Sequence, residues 1–300
     1  MKNQSLAFLL SLGNVAIWSV NPAVLKIFSN SFPPLQLICA GMGIAVAFYL
    51  AVLAVRKEVK GLLSFPRRVI ALSCAQGAIL FLYYWVFLTA YKYISPQLVV
   101  PISNTWTLLF AVVSPVLLRQ RISRKEIFWI AFAYMGVLLS LCGAQFSGML
   151  HPFGLACACA CPVIFMLYWL LNTWNPLSQE QNFFLCFLVS FLLSAATLLS
   201  QGDAVTLSWE GAAACLYMGF LEFSVPYFLL GMAFRLAESA SRIATLELCI
   251  PFCSLIFIWL LLGESILWTT PVSLAIILFG IVMQQRAAAE RVRRAARAKA

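Results

Sequence analysis

Ten apolar runs, each close to twenty residues, follow one another along this chain. They cover roughly 5–28, 34–55, 69–91, 96–118, 126–144, 152–172, 183–201, 210–233, 239–262 and 267–285. About 20 apolar residues carry a helix across the hydrocarbon of a bilayer. Lipid offers no partner to a backbone N–H or C=O, so each run must satisfy its own by coiling into a helix. Composition agrees, with 63% hydrophobic and 10% charged residues in 300. Soluble domains are about half apolar and about a quarter charged. The expected fold is an all-α polytopic membrane protein with ten transmembrane helices. Its links are short, and no sizeable soluble domain remains. The first run does not read as a signal peptide. It is long, it carries Asn14, Ser19 and Asn21, and it has no clear small-residue cleavage site.

Charge sets the expected orientation, because lysine and arginine near span ends favour the cytoplasm. With the N-terminus inside, 18 basic residues fall on the inner side, among them Lys2, Arg56, Lys60, Arg67, Arg119, Arg121, Arg124, Arg235, Arg242, Arg286 and Lys299. Only 2, Lys26 and Lys92, fall outside. Both termini are therefore expected in the cytoplasm, with the chain in a bacterial-type inner membrane. The basic tail "RVRRAARAKA" reads as a topology signal lying on anionic lipid head groups rather than as a nucleic-acid arm. The cysteines of "CACAC" (157–161) lack the distant second pair that a structural zinc site uses. They read as small packing residues. His151, the only histidine, falls in a loop. No cofactor or metal is expected.

A shift of 143 positions lays "AYKYISPQLVVPISNTWTLLFAVVSPVLLRQRIS" (90–123) on "AFRLAESASRIATLELCIPFCSLIFIWLLLGESI" (233–266). Identity is weak, but the plan matches: an aromatic-basic end, a polar turn, a span with polar and proline positions, a charged stop. Five spans separate the copies, and five is odd, so the second half is expected upside down. Inverted repeats mark transporters, with the substrate site near the midplane between them. Arg121 stands where Glu264 stands in the other copy, the exchange that the positive-inside bias favours in an inverted repeat.

These residues resemble a known family. "IWSVNPAVLKIF" (17–28) is similar to the first-helix signature of the EamA family in the drug/metabolite transporter superfamily. "AYKYISP" (90–96) resembles its third-to-fourth-helix turn, and "PFCSLIFIWLLLGE" (251–264) its ninth-helix ending. The first repeat lacks the Gly-Glu ending. The resemblance implies two inverted five-helix repeats, 1–147 and 148–286, followed by a basic cytoplasmic tail, 287–300. It also implies carriage of small organic solutes without ATP.

Inside this frame, "GFLEFSVP" (219–226) sets Glu222 in the middle of the eighth run, about 16 Å from either end. Gly211, Cys215, Gly219, Glu222 and Pro226 share one face, and small residues at that spacing let helices approach closely. Glu247 shares a face of the ninth span with Ala240, Ala244, Pro251 and Ser254, about a turn from Glu222 in depth. Glu247 lies nearer the cytoplasm, where Arg242 or Arg235 could pair with it, which strengthens a structural reading of it. Ionisable residues at membrane depth are functional by default. Three readings of Glu222 stand: a holder of a cationic group between aromatic walls, a proton-carrying site, or a hydrogen-bonded structural acid. Glu264 reads as a structural or gating helix end.

Polar and aromatic residues on other spans complete the candidate substrate site: Asn14, Trp18 and Asn21 on the first, Gln76 and Tyr83 on the third, Asn104 on the fourth, Tyr168 on the sixth and Tyr227 on the eighth. Each also has a packing or interhelical hydrogen-bonding reading. The function these residues suggest is secondary transport of small polar solutes, amino-acid-like or amine-bearing, by alternating access. Protons are the candidate coupling ion. A carrier of choline-like organic cations is the alternative. An intramembrane enzyme using Glu222 and Glu247 as an acid–base pair has the carboxylates but no accompanying nucleophile–His set or phosphate loop.

Overall fold

The computed structural model describes residues 3–59, 65–117, 123–146, 151–201, 208–237, 243, 246–247 and 249–297. Those residues form helices and connecting turns, with no strand among them. In chain order the helices are α1 (Gln4–Ser31), α2 (Pro34–Val55), α3 (Arg67–Tyr93), α4 (Pro96–Ser103), α5 (Trp106–Leu117), α6 (Arg124–Phe146), α7 (Pro152–Asn172) and α8 (Gln179–Gln201). Then come α9 (Trp209–Tyr217), a π-helical segment (Met218–Ser224), α10 (Val225–Leu236), α11 (Ile250–Leu262) and α12 (Thr269–Arg297).

Eight described helical stretches are long and apolar enough to cross a membrane, with α9, the π segment and α10 counted as one span. The described residues thus account for eight of the ten expected spans as long apolar helices, and the other two runs, the fourth and the ninth, are described in shorter pieces. The fourth run breaks between α4 and α5 at Asn104–Thr105, three residues after Pro101. Pro101 has no N–H to give to the helical ladder. The ninth run contributes the 13-residue α11, while Ala240, Arg242 and Ala244 lie outside the described residues. Lys2, Lys60, Arg119, Arg121 and Lys299 also lie outside them.

Matching helices of the two halves pack antiparallel. Along α6 and α12, Lys125 meets Glu290 at 3.8 Å, Gly136 meets Ile277, and Gly143 meets Thr269. Along α2 and α8, Gly43 faces Phe191, Tyr49 stacks on Phe187 at 5.5 Å, and Arg56 reaches Glu180 at 2.7 Å. The α6–α12 seam is reciprocal. A Cβ on Gly136 would come within 2.8 Å of Ile277, and one on Gly280 within 2.7 Å of Ala133. Gly136 and Gly280 are 144 apart, as are Ala133 and Ile277, so one contact becomes the other when the halves exchange. Self-complementary contact of this kind belongs to a two-fold axis. With little hydrophobic drive between helices in lipid, glycine at such seams gains packing by close approach.

The remaining pairings exchange too. α1 lies antiparallel against α9, the π segment and α10, from Phe28–Tyr217 at one end to Asn3 N–H donating to Leu236 O at 2.9 Å at the other. In the counterpart pair, α7 lies against α3, from His151 stacked on Tyr93 to Tyr168 O accepting from Gln76. Tyr84 and Tyr227, 143 residues apart, touch hydroxyl to hydroxyl at 3.0 Å. Residues equivalent under the repeat that touch each other must lie on its axis. That axis therefore passes through the aromatic core of the bundle.

Candidate functional site

The π segment follows from Pro226. Without an N–H, Pro226 gives nothing to the Glu222 carbonyl four residues back. The ladder widens by one residue: Val225 N–H goes to Phe220 O, and the Ser224 hydroxyl donates to Gly219 O at 2.6 Å. The Leu221 carbonyl is thereby free for a side chain, and Asn21 Nδ2 donates to it at 3.0 Å. π turns inside α-helices are frequent at functional sites. Gly219 lets this wide turn lie on Ile44 of α2, with no room for a Cβ.

Glu222 projects from this turn into the core and is 7% exposed. Asn21 Nδ2 donates to Glu222 Oε2, and Tyr84 Oη donates to Oε1 at 3.0 Å. Tyr84, having given its proton, accepts from Tyr227 across the axis. Tyr217 Oη donates to Asn21 Oδ1 at 2.5 Å, which fixes the amide's orientation. Hydrogen bonds to a charged group contribute about 1.5–3 kcal/mol each, and a charge at the bilayer centre costs about 2.5–3.5 kcal/mol on insertion. Two such donors are of the size needed to offset that cost, and among the described residues no basic side chain bonds to Glu222.

Aromatic rings surround the acid. Phe223 meets Tyr84 edge-on at 4.6 Å. Tyr227 is boxed by Trp18 at 5.3 Å, Phe183 at 5.2 Å and Phe187 at 5.9 Å. Each edge-to-face pair contributes about 0.5–1.5 kcal/mol beyond the area it buries.

Glu247 is half-buried and held by the same helix as Glu222. Ser11 Oγ donates to its Oε1 and Asn14 Nδ2 to its Oε2, each at 2.6 Å. Of the two basic residues considered for Glu247, Arg235 donates to Glu180 at 2.6 Å, and Arg242 lies outside the described residues. Asn14 and Asn21 are seven residues apart on one face of α1, about 10 Å along the axis. The two asparagines that hold the acids are thus about two turns of α1 apart. Between the two asparagines, Trp18 Nε1 is buried without an acceptor, and Asn14 Oδ1 is buried without a donor, among the described residues.

Six of the ten candidates gather along α1: Asn14 with Glu247, and Trp18, Asn21, Glu222 and Tyr227 in a linked polar and aromatic cluster. Tyr83 is adjacent to it, in edge contact with Tyr84 at 5.0 Å and stacked on Phe165 at 4.5 Å. Tyr168 also stacks on Phe165, at 5.9 Å. Gln76 belongs elsewhere, in a polar knot of α3, α7 and α8, where Asn175 Nδ2 donates to Gln76 Oε1 at 2.8 Å and to Ser73 and Asn182. Asn104 caps α4, donating to Val100 O at 2.8 Å.

Tyr84, Tyr217 and Ser11 complete the group and were not among the candidates. Tyr84 carried a usable signal, since the repeat offset pairs it with Tyr227. Also missed was Glu180, 4% exposed, which accepts from Arg56 and Arg235 and ties together α2, α8 and α10 at one end of the bundle. Glu264 follows Gly263, whose φ of +64° ends α11 as a left-handed cap. It accepts from Ser95 and from Gln97 Nε2, at the N-terminus of α4. Two segments that the sequence made prominent, "AYKYISP" and "LLLGE", thus meet each other.

The EamA-like transporter family matches residues 5–142 and again 152–284, one copy per half. The chain belongs to this family, within the drug/metabolite transporter superfamily, and is a multi-pass membrane protein with a transporter fold. One solved crystal structure superimposes with a TM-score of 0.66 over 94% of this chain and 98% of the other, at 19% identity, a likeness of fold alone. A search of curated proteins finds no match.

Proposed function

We propose that this protein is a secondary-active carrier of small polar organic solutes bearing an amine, working by alternating access between repeats 1–147 and 148–286. The single observation that carries the reading is Glu222: a carboxylate on a π turn, beside the axial tyrosine pair, held by donors only. A site on the repeat axis meets both faces of the membrane equivalently as the halves exchange conformations. An ammonium group complements its charge, and the rings of Trp18, Tyr84 and Tyr227 suit a cation. The free Trp18 Nε1–H and Asn14 Oδ1 suit a solute with both an acceptor and a donor, which favours an amino-acid-like molecule.

The aromatic box around Tyr227 gives a choline-like cation a specific claim as the second reading. Protons are the proposed coupling ion, with Glu222 or Glu247 exchanging them. Both termini, with the tail 287–300, are placed in the cytoplasm of a bacterial-type inner membrane. An intramembrane enzyme is disfavoured by family membership.

A thermal-shift screen of the detergent-solubilised protein tests the substrate class. Amine-bearing zwitterions are expected to stabilise it, and Glu222→Gln is expected to erase the shift. Stabilisation by quaternary ammonium compounds and not by zwitterions selects the second reading. Stabilisation that survives Glu222→Gln places the solute elsewhere.

A further inference from the structure

The seam between α6 and α12 opens into a groove of about 590 Å3 at its charged end. Arg124, Lys125 and Arg286 line its upper part, and Phe128, Trp129 and Met283 its lower part. The order follows from sequence. α12 is apolar up to Met283 and then reads Gln284, Gln285, Arg286, while α6 begins Arg124, Lys125 and turns apolar at Ile127. The hydrocarbon boundary therefore crosses the groove. Aromatic residues concentrate at that level in membrane proteins. Here they continue as a patch down the outside of the seam, with Trp129 in edge contact with Phe279 at 5.6 Å and Phe132 at 5.7 Å.

The groove has fixed walls. Arg291 donates to buried Glu126 at 2.9 Å, and Glu126 also accepts from Ser123 at the start of α6, so the two helices are pinned beside it. Deeper in the membrane, Gly136 and Gly280 close the seam. Its cations are largely uncommitted. Glu290 lies in the lining, but its pair with Lys125 spans 3.8 Å with side chains 69% and 56% exposed. Such surface pairs are weak. Neither Arg124 nor Arg286 has an ion-pair partner among the described residues. The lining thus carries three cations against one anion, above an apolar floor.

We propose that this groove binds one anionic phospholipid of the leaflet at the basic end. Arg124 and Arg286 hold the phosphate, and an acyl chain lies along Phe128, Trp129 and Met283. The polarity gradient selects this occupant, because a soluble anion leaves the apolar floor uncovered and a zwitterionic lipid leaves the excess charge uncompensated. The site lies on the outside of the bundle, so it is independent of what the central acid carries.

Reconstitution of the full chain in phosphatidylcholine nanodiscs, with phosphatidylglycerol titrated in, tests it, with retained lipid counted by native mass spectrometry. One phosphatidylglycerol is expected to remain bound per chain. Arg124→Gln with Arg286→Gln should weaken it roughly 30-fold, at the usual contribution of a basic residue near a charged membrane. Both side chains are exposed, so folding is not at stake. Arg293→Gln with Arg294→Gln removes the same charge from the tail and should leave the retained lipid in place. Trp129→Leu changes no charge and should still reduce retention. Equal loss from the groove and tail pairs would overturn the proposal in favour of diffuse attraction. Inorganic phosphate that displaces the lipid at equimolar concentration, or a dimer that occludes the groove, would also overturn it.

Discussion

At the scale of single residues, the site depends on α1 more than on the helices that carry its acids. Asn21 donates both to Glu222 and to the carbonyl that Pro226 frees. Asn21→Leu removes both bonds and leaves two buried acceptors unsatisfied. It is expected to cost about 1–3 kcal/mol in thermal unfolding and to abolish flux. Tyr84→Phe keeps the ring packed on Phe223 and loses only the hydroxyl. Flux should drop while stability falls by about 0.5–1.5 kcal/mol, and full flux would remove Tyr84 from the site. Glu222, Asn21 and Trp18 were legible because polar residues in an apolar run stand out and a helix fixes which of them share a face. Tyr84 was not. In "LFLYYWVF" (80–87) five of the eight residues are aromatic, and nothing local separates Tyr84 from Tyr83. Glu180 went unread for a different reason. It lies at a span end, where a charge is unremarkable until its partners are known.

At the scale of elements, helix geometry is set by proline and glycine. Pro226→Ala restores an N–H and lets the π turn relax to an α-helix. Thermal stability should hold or rise, while solute affinity falls because Glu222 is turned and Leu221 O is reclaimed. Unchanged affinity would show that the wide turn is dispensable. Gly136→Leu drives a side chain into the backbone carbonyl of Ser273, which lies 2.7 Å from where even a Cβ would sit. Backbone cannot yield as a side chain can, so a loss of about 1–3 kcal/mol in thermal unfolding is expected. A wild-type melting curve would contradict the close-packed seam. Hydropathy marked eight runs that are long apolar helices here, but not the continuity of the fourth. The break at Asn104–Thr105 depends on Pro101 and on local capping, which a hydropathy average does not register. Likewise, "SVP" announced a bend without saying that it would take π form.

At the scale of the whole molecule, the two halves are one fold used twice, but their charges are not symmetric. Arg56, Glu180 and Arg235 tie three helices at one end, and the repeat offset pairs Arg235 with Lys92, which makes no ion pair among the described residues. Under the proposed alternating access each end must open in turn, and this cluster ties one of them. Glu180→Gln is expected to speed hydrogen exchange at the adjoining ends of α2, α8 and α10. Unaltered exchange there would show that apolar packing alone keeps that end shut. The inverted plan was readable from an odd number of spans between weakly similar segments, whereas the axial contact of Tyr84 with Tyr227 needed the folded chain. The most direct test of a central carboxylate that works on the solute is substrate-driven flux into liposomes by Glu222→Gln. The neutral amide keeps the size of the side chain, so the protein should fold and insert normally while flux disappears. Wild-type flux from a correctly inserted Glu222→Gln protein would contradict the assignment outright.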